Sequence, residues 1–303
     1  MKVSVGIPFF NSERTLPDAI RSVFAQTFQD WELILADDGS TDASLEIANA
    51  VSDARVRVYS DGRNRGLPYR LNQIARLAEG NFIARMDADD IMHPDRLSLQ
   101  MDYLQANPAV DAVGTGTYTM DVECNPLGIR SLGIIDAAPE SVIGGGLLLH
   151  PTVTARAEWF RRNPYDETFL GSEDLELWCR TYDRGSFGKL LKPLHFYREN
   201  GRTPLGYLKH YLRALRYERK LLSMYGPLMV GRRRIPALVM RTYLKGCAYS
   251  IATALGAQRS IVNQRSSPLT PRQAEDAREV LRSVLRTPVS GLFDANVIAG
   301  GSS

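Results

Sequence analysis

The chain has 303 residues and a mass of 33.8 kDa, enough for one large domain or two modest ones around a sizeable buried core. Its 44% apolar and 23% charged content excludes a disordered chain, and a net charge of +3 is too small to argue for a nucleic-acid partner. Three widely spaced cysteines, Cys124, Cys179 and Cys247, form no CxxC pair, which speaks against a structural zinc and for a reducing compartment. The opening residues carry no signal-peptide apolar core, and no uninterrupted apolar run reaches the ~18 residues of a membrane span. The nearest, Ile235 to Ala257, is broken by Arg241 and Lys245. A protein of the cytoplasm is expected.

Val3-Ser4-Val5-Gly6-Ile7, stopped by Pro8, reads as a buried first strand. Leu16, Ala19, Ile20, Val23 and Phe24 follow a helical period, with Ser12 or Thr15 available as caps. Trp31 to Ala36 forms a second strand that ends on Asp37-Asp38-Gly39-Ser40-Thr41-Asp42. There Gly39 permits a tight turn, and Ser40 or Thr41 can cap a helix from Ala43 to Val51. A third strand, Arg55 to Tyr59, leads through a polar loop to a helix over Leu67 to Glu79, with Gly80 suited to close it. Phe82 to Met86 is the fourth strand, and it ends on Asp87-Ala88-Asp89-Asp90. This alternation argues for a parallel sheet covered by helices on both faces, in which ligands sit beyond the carboxyl ends of the strands. Strands one, two and four would therefore bring Pro8-Phe9-Phe10-Asn11 and two acidic turns to one edge.

Three carboxylates within four residues repel one another, so the Asp87 turn is either a solvated acidic cap or a site for a divalent metal. A metal held by one or two carboxylates completes its shell with water and substrate phosphates, which suggests a nucleotide diphosphate. No GxGxxG or Walker-type sequence follows the first strand, so side chains and metal would do the holding.

The segments VSVGIPFFNSERTLPDAIRSVFAQTF, WELILADDGSTD and IARMDADDIMHPDRL resemble the inverting, metal-dependent family 2 glycosyltransferases with the GT-A fold, and they cover the first hundred residues closely. The resemblance implies that Asp38 contacts the nucleotide base, normally uracil, and that Glu13 and the backbone of Pro8-Phe9 frame the nucleoside. It further implies that Asp89 binds metal (Mn²⁺ or Mg²⁺) and diphosphate, with Asp87 beside the sugar or ribose. Phe10 departs from the commoner Tyr and loses only a hydroxyl.

Pro94-Asp95-Arg96-Leu97 opens a helix to about Asn107, Val110 to Met120 reads as a strand, and Asp121 to Pro139 as a loop-rich crossover. Gly144-Gly145-Gly146 is either a simple bend or, by the resemblance, part of a loop that shapes the donor-sugar pocket with His150 near it. Leu175, Trp178, Cys179 and Tyr182 make a helical stripe with Glu173-Asp174 at its start. Those acids either complement the helix dipole or serve chemistry. An acceptor hydroxyl is a poor nucleophile and needs a carboxylate to take its proton. The resemblance places the base at Asp174, with Glu173 in support. Leu190 to Tyr197 reads as a last strand, and Arg198 behind it suits a diphosphate. Arg63, Arg65 and Arg70 are rival phosphate or base contacts, or a solvated face.

From residue 204 the chain turns helical. Leu208, Tyr211, Leu212, Leu215 and Leu222 line one face, Lys209, Arg213, Arg216 and Lys220 another, and Arg232-Arg233-Arg234 follow. Such a helix is either a bundle member or a surface that meets anionic membrane, which would suit a lipid-linked acceptor. Thr270-Pro271-Arg272-Gln273 has the capping-box pattern and opens a helix to about Arg286. Gly300 to Ser303 is expected to fray.

The expectation is an α/β GT-A, Rossmann-like and mostly parallel sheet flanked by helices over residues 1–203, followed by a helical region, 204–303, for acceptor, membrane or oligomer contacts. Its function would be transfer of a sugar from a nucleotide-sugar donor, a UDP-sugar, to a sugar or lipid-linked glycan acceptor, with peripheral contact at the inner face of the cell membrane as an option. Two rivals are a catalytically silent nucleotide-sugar binder and a phosphatase of the haloacid dehalogenase type, whose Asp-x-Asp start Asp87-Ala88-Asp89 partly mimics.

Overall fold

The computed structural model describes residues 1–199, 203–256 and 266–292; the tail expected to fray, Gly300 to Ser303, lies outside them. Four parallel strands open the chain: β1 (Val3–Phe9), β2 (Trp31–Asp37), β3 (Val56–Tyr59) and β4 (Phe82–Arg85). They run in the order β3-β2-β1-β4, with helices α1 (Leu16–Phe24), α2 (Ser44–Ala50) and α3 (Leu67–Leu77) as crossovers. The sequence reading gave all seven elements. The order reverses at β1, whose neighbours are β2 on one side and β4 on the other, and such a switch point leaves a crevice beyond the strand ends.

These strands are buried on both faces, and side chains alternate between them. Val3, Val5, Ile7, Leu33, Leu35 and Ala84 pack toward α1 and α4 (Arg96–Ala106). Ile34, Ala36 and Ile83 pack toward Leu71, Ile74 and Ala75 of α3. Gly6 falls on that second face, where a Cβ would sit 2.4 Å from Ile74 Cγ2, so only glycine lets α3 approach.

Beyond β4 the sheet becomes mixed. The short β5 (Ile91–Met92) pairs with β9 (Phe187–Arg198), and β6 (Ala112–Met120) pairs with β7 (Pro126–Arg130), β8 (Thr154–Arg156) and β9. Helices α5 (Pro139–Gly145), α6 (Ala157–Arg162) and α7 (Glu173–Thr181) cover the α3 face. The expected crossover over 121–139 thus contains a strand, and the Gly144–Gly146 run is the end of a helix, with Gly146 at φ 77°. Both were invisible to periodicity because they are five and seven residues long. Helix α3 stops two residues short of Glu79, and Gly80 is not its cap. Gly80 instead donates its N–H to Ser4 Oγ beside the Lys2 carbonyl, where a Cβ has no room. The start of α2 is held by Asp42, which accepts the N–H of Ser44, rather than by Ser40 or Thr41.

The helical region continues through α8 (Pro204–Met224), α9 (Gly226–Met229) and α10 (Ile235–Ala254). The strand β10 (Ser267–Pro268) then joins the sheet beside β7, and α11 (Pro271–Leu285), which carries the expected capping box, packs Ala277, Leu281 and Val284 on Ile91, Met120 and Phe196.

Candidate active site

The crevice beyond β1 and β4 is a cleft of about 610 Å³. One wall is the turn from Pro8 to Thr15, and the other is Asp87-Ala88-Asp89. Pro8, Phe9, Glu13, Asp87 and Asp89 therefore meet at one cleft. Carboxylate oxygens of Asp87, Asp89 and Asp90 lie within 4.8 Å of one another, and Asp90 alone of the three is buried.

The three acids have different partners. Asp87 is clamped by both terminal nitrogens of Arg85, at 2.6 and 2.8 Å. Asp90 accepts the Arg198 N–H at 2.9 Å and contacts His195 Nε2 at 2.8 Å. The other ring nitrogen of His195 lies 3.1 Å from an Arg96 guanidinium, which can only donate. Nδ1 must then accept, so His195 is a neutral Nε2–H tautomer donating to Asp90. Burial holds His195 well below its ordinary pKa, and the Arg96 charge adds to this. Burial pushes Asp90 up, helped by the Asp87 charge. Asp90 is a carboxyl spent on locking the turn to β9, whereas Asp87 and Asp89 face the cleft.

Asp38 lies at the end of β2, its N–H on the Phe9 carbonyl. Its carboxylate accepts the N–H groups of Arg65 (2.8 Å) and Gly66 (3.0 Å) and Nε of the fully buried Arg70 (3.0 Å). Gly39, at φ 77°, makes this possible, because a Cβ there would lie 2.7 Å from the Arg63 carbonyl carbon. Asp38 thus organises the 61–66 loop. Arg65 Nε donates to Asp61 at 2.6 Å, and its guanidinium sits over the Tyr69 ring. Glu13 accepts the Ala43 N–H at 3.1 Å and donates its own to Asp42. Arg198 is buried under the acidic turn, donating to the carbonyls of Asp89 and Val122 and paired with Asp18. Asp38, Arg65 and Arg198 stand outside the lining of the cleft.

The second acid centre opens α7. Glu173 is buried and accepts the Gly171 N–H at 2.8 Å; half-buried Asp174 accepts the Leu175 N–H at 2.8 Å. Burial and the adjacent Asp174 push Glu173 up to about 7. Burial raises Asp174 too, although the Leu175 N–H and the Arg85 charge temper the rise. Asp87 and Arg85 both act on Asp174 electrostatically, so the two acid centres share one field.

Arg85 is the residue that joins them, and sequence reasoning passed over it inside the fourth strand. It is buried at 4% exposure, its charge kept by Asp87 although burial opposes it. A single cation interrupting an apolar strand just before an acidic turn was the available signal. His195, Arg96 and Tyr165 were also missed. Tyr165 Oη lies 2.8 Å from Nε2 of His150, and burial keeps that histidine neutral beside Arg85. These contacts join residues far apart in sequence and have no local signature.

The sequence profile described as "Glycosyl transferase family 2" matches residues 4–127. EpsE of Bacillus subtilis, which carries a glycosyltransferase designation, is 34% identical over 208 residues, covering 66% of this chain and 73% of EpsE. The Escherichia coli "UDP-Glc:alpha-D-GlcNAc-diphosphoundecaprenol beta-1,3-glucosyltransferase WfgD" is 28% identical over 181 residues, 58% of this chain and 68% of WfgD. The structure of the mannosyltransferase PcManGT from Pyrobaculum calidifontis in complex with GDP-Man and Mn²⁺ superposes with a TM-score of 0.57 at 16% identity, covering 93% of this chain and 85% of that one. At that identity the likeness is one of fold.

Proposed function

The chain belongs to glycosyl transferase family 2 and is a glycosyltransferase with the GT-A fold, and from that premise we propose that it transfers a hexosyl or N-acetylhexosaminyl group from a UDP-sugar to a hydroxyl acceptor, with inversion. The observation that carries this reading is the convergence of two acid centres of opposite character on Arg85: the cleft-facing Asp87 and Asp89, and the raised pair Glu173-Asp174.

Asp89, with Asp87 beside it, would hold Mn²⁺ or Mg²⁺. The fit rests on clustered oxygen donors facing the cleft, which suit a hard divalent cation. When bound, such an ion offsets the charge that builds on the departing diphosphate. The protein's own residues do the rest. Pro8, Phe9 and Glu13 frame the nucleoside, and Asp38 fixes the loop carrying Arg65 for the base. Arg198 acts from below, its side chain holding the Asp89 carbonyl and its backbone N–H the Asp90 carboxylate. Asp174 takes the proton of the acceptor hydroxyl as its oxygen attacks the anomeric carbon opposite the leaving group, a contribution of ~10² to 10⁴ in rate. Near neutral pH a proton held on Glu173 leaves one negative charge on the pair, so Asp174 stays ionised.

Residues 1–203 would form the transferase unit and 204–303 its acceptor-facing part. The similarity to WfgD supports a UDP donor and a surface-glycan setting with a lipid-linked acceptor. Among the described residues no helix is long and apolar enough to cross a membrane.

The test incubates the full chain with a panel of nucleotide sugars, Mn²⁺ or Mg²⁺ and candidate acceptors, and follows nucleoside diphosphate release and product configuration by NMR. Chelator-sensitive release of UDP with an inverted product is expected. UDP binding without release under any acceptor would favour a silent binder, and phosphate release from simple esters would replace the proposal with a phosphatase.

A further inference from the structure

A second cleft, of about 700 Å³, opens beside the loop that delivers Glu173. Its lining is Thr168 and Leu170 from that loop and Arg213, Arg216, Tyr217 and Lys220 from α8. Positions 213, 216, 217 and 220 share one helix face, so three cations point into one space. Among the described residues none of the three forms an ion pair within 4 Å. The other side of the same helix differs: there Glu218 receives Lys245 at 3.4 Å and Arg241 at 3.9 Å. Asp166 feels Lys220, yet its Oδ1 is already taken by the N–H and hydroxyl of Thr168.

The cleft is also ordered for binding. The Lys220 ammonium rests 3.7 Å from the centre of the buried Phe169 ring, which packs at 5.8 Å on Tyr217. Leu170, 50% exposed, reaches the loop that buries Asp38, since a Cβ on Gly66 would sit 2.7 Å from its Cδ2. The cleft therefore adjoins the nucleotide-side loop, and its lining residue Leu170 precedes Asp174 by four positions. A cleft lined by charges of one sign raises the local concentration of oppositely charged ligands.

We infer that this cleft is the acceptor subsite and that the acceptor carries a phosphate or diphosphate, held by Arg213, Arg216 and Lys220 while its sugar hydroxyl reaches Asp174. The inference rests on the transferase reading above. Guanidinium groups suit phosphate oxygens, and Tyr217 and Leu170 offer an apolar surface to the group that bears the phosphate. The same chemistry can come from a lipid-linked diphosphate sugar or from a soluble sugar phosphate.

The experiment is calorimetric titration of farnesyl diphosphate, farnesol and inorganic pyrophosphate into the full chain already saturated with UDP and Mn²⁺, which fills the donor cleft. UDP affinity, read first, reports on the transferase reading separately. Farnesyl diphosphate is expected to bind and farnesol not. The double variant Arg213→Gln/Arg216→Gln, at exposed positions and checked for fold by circular dichroism, should weaken binding about tenfold or more while UDP affinity holds. Arg216→Lys should recover part of the loss. Tighter binding of farnesyl diphosphate than of pyrophosphate supports a lipid-borne acceptor, and equal binding a soluble one. No anion binding to the UDP-bound protein, or binding indifferent to the double variant, overturns the proposal. Absence of UDP binding by the unmodified chain sinks the UDP-donor reading instead, and the anion titration is then read without nucleotide.

Discussion

The proposed donor and acceptor sides of the site use the same residue types to opposite ends. On the donor side the acids are satisfied: Asp38 by two backbone N–H groups and Arg70, Asp42 by Ser44 and Glu13, and Asp61 by Arg70 and Arg65. Burial pushes the Asp42 carboxyl up, but the Ser44 and Glu13 contacts outweigh it and hold it low, and Arg70 and Arg65 hold Asp61 lower still. On the acceptor side Glu173 and Asp174 are pushed up by burial, with backbone N–H groups as donors and, among the described residues, no guanidinium bonded to them. Satisfied carboxylates shape loops; raised ones are poised to exchange protons. Acid content alone does not separate architecture from chemistry, whereas partners do.

The largest test of that contrast is Asp174→Asn. Sugar transfer should fall by ~10² to 10⁴ with UDP affinity retained, measured as UDP release beside nucleotide binding; an unchanged rate would remove Asp174 from the chemistry. Next, Asp38→Ala should strip the buried Arg70 of one of its two carboxylates, Asp61 remaining, and leave the Arg65 and Gly66 N–H groups without their acceptor, at a cost of about 2 to 3 kcal/mol in denaturant unfolding. A loss below about 1 kcal/mol would mean that the donor-side acids are not structural.

Glu173→Gln should act in the other direction. A carboxyl raised from its ordinary 4.5 to about 7 by burial binds its proton more tightly folded than unfolded. Wild-type stability therefore declines as pH rises through that interval and levels off above it. The Gln variant, which has nothing to titrate, should gain on the wild type across the same interval, reaching on the order of 3 kcal/mol at pH 8. Equal pH dependence in both proteins would show Glu173 to be ionised throughout. The smallest effect belongs to a site remote from either side: Thr270→Ala removes the capping box of α11 and should cost about 1 kcal/mol. A much larger loss would show that α11, packed on β5, β6 and β9, braces the acidic turn.

Much of this protein was written locally. Alternating β-branched strands, helical stripes and acids at the ends of β2 and β4 determined the order of the first seven elements and marked Asp38, Asp87 and Asp89, because periodicity and strand-end chemistry are properties of neighbours in sequence. The Glu173-Asp174 start of α7 was legible for the same reason, and so was the Thr270 capping box. Only the tertiary structure decided which of these acids were buried and which line the cleft. Asp90 looked equivalent to Asp87 and Asp89 until His195, 105 positions away, claimed it. Arg85 looked like a strand residue until Asp87 clamped it and its charge reached the start of α7, and the cations of α8 read as the outside of a bundle helix or a membrane-facing surface until the 168–170 loop supplied the rest of a cleft lining. Burial and the partner across a gap set the protonation and reach of a charged side chain, and both are fixed by how distant segments pack.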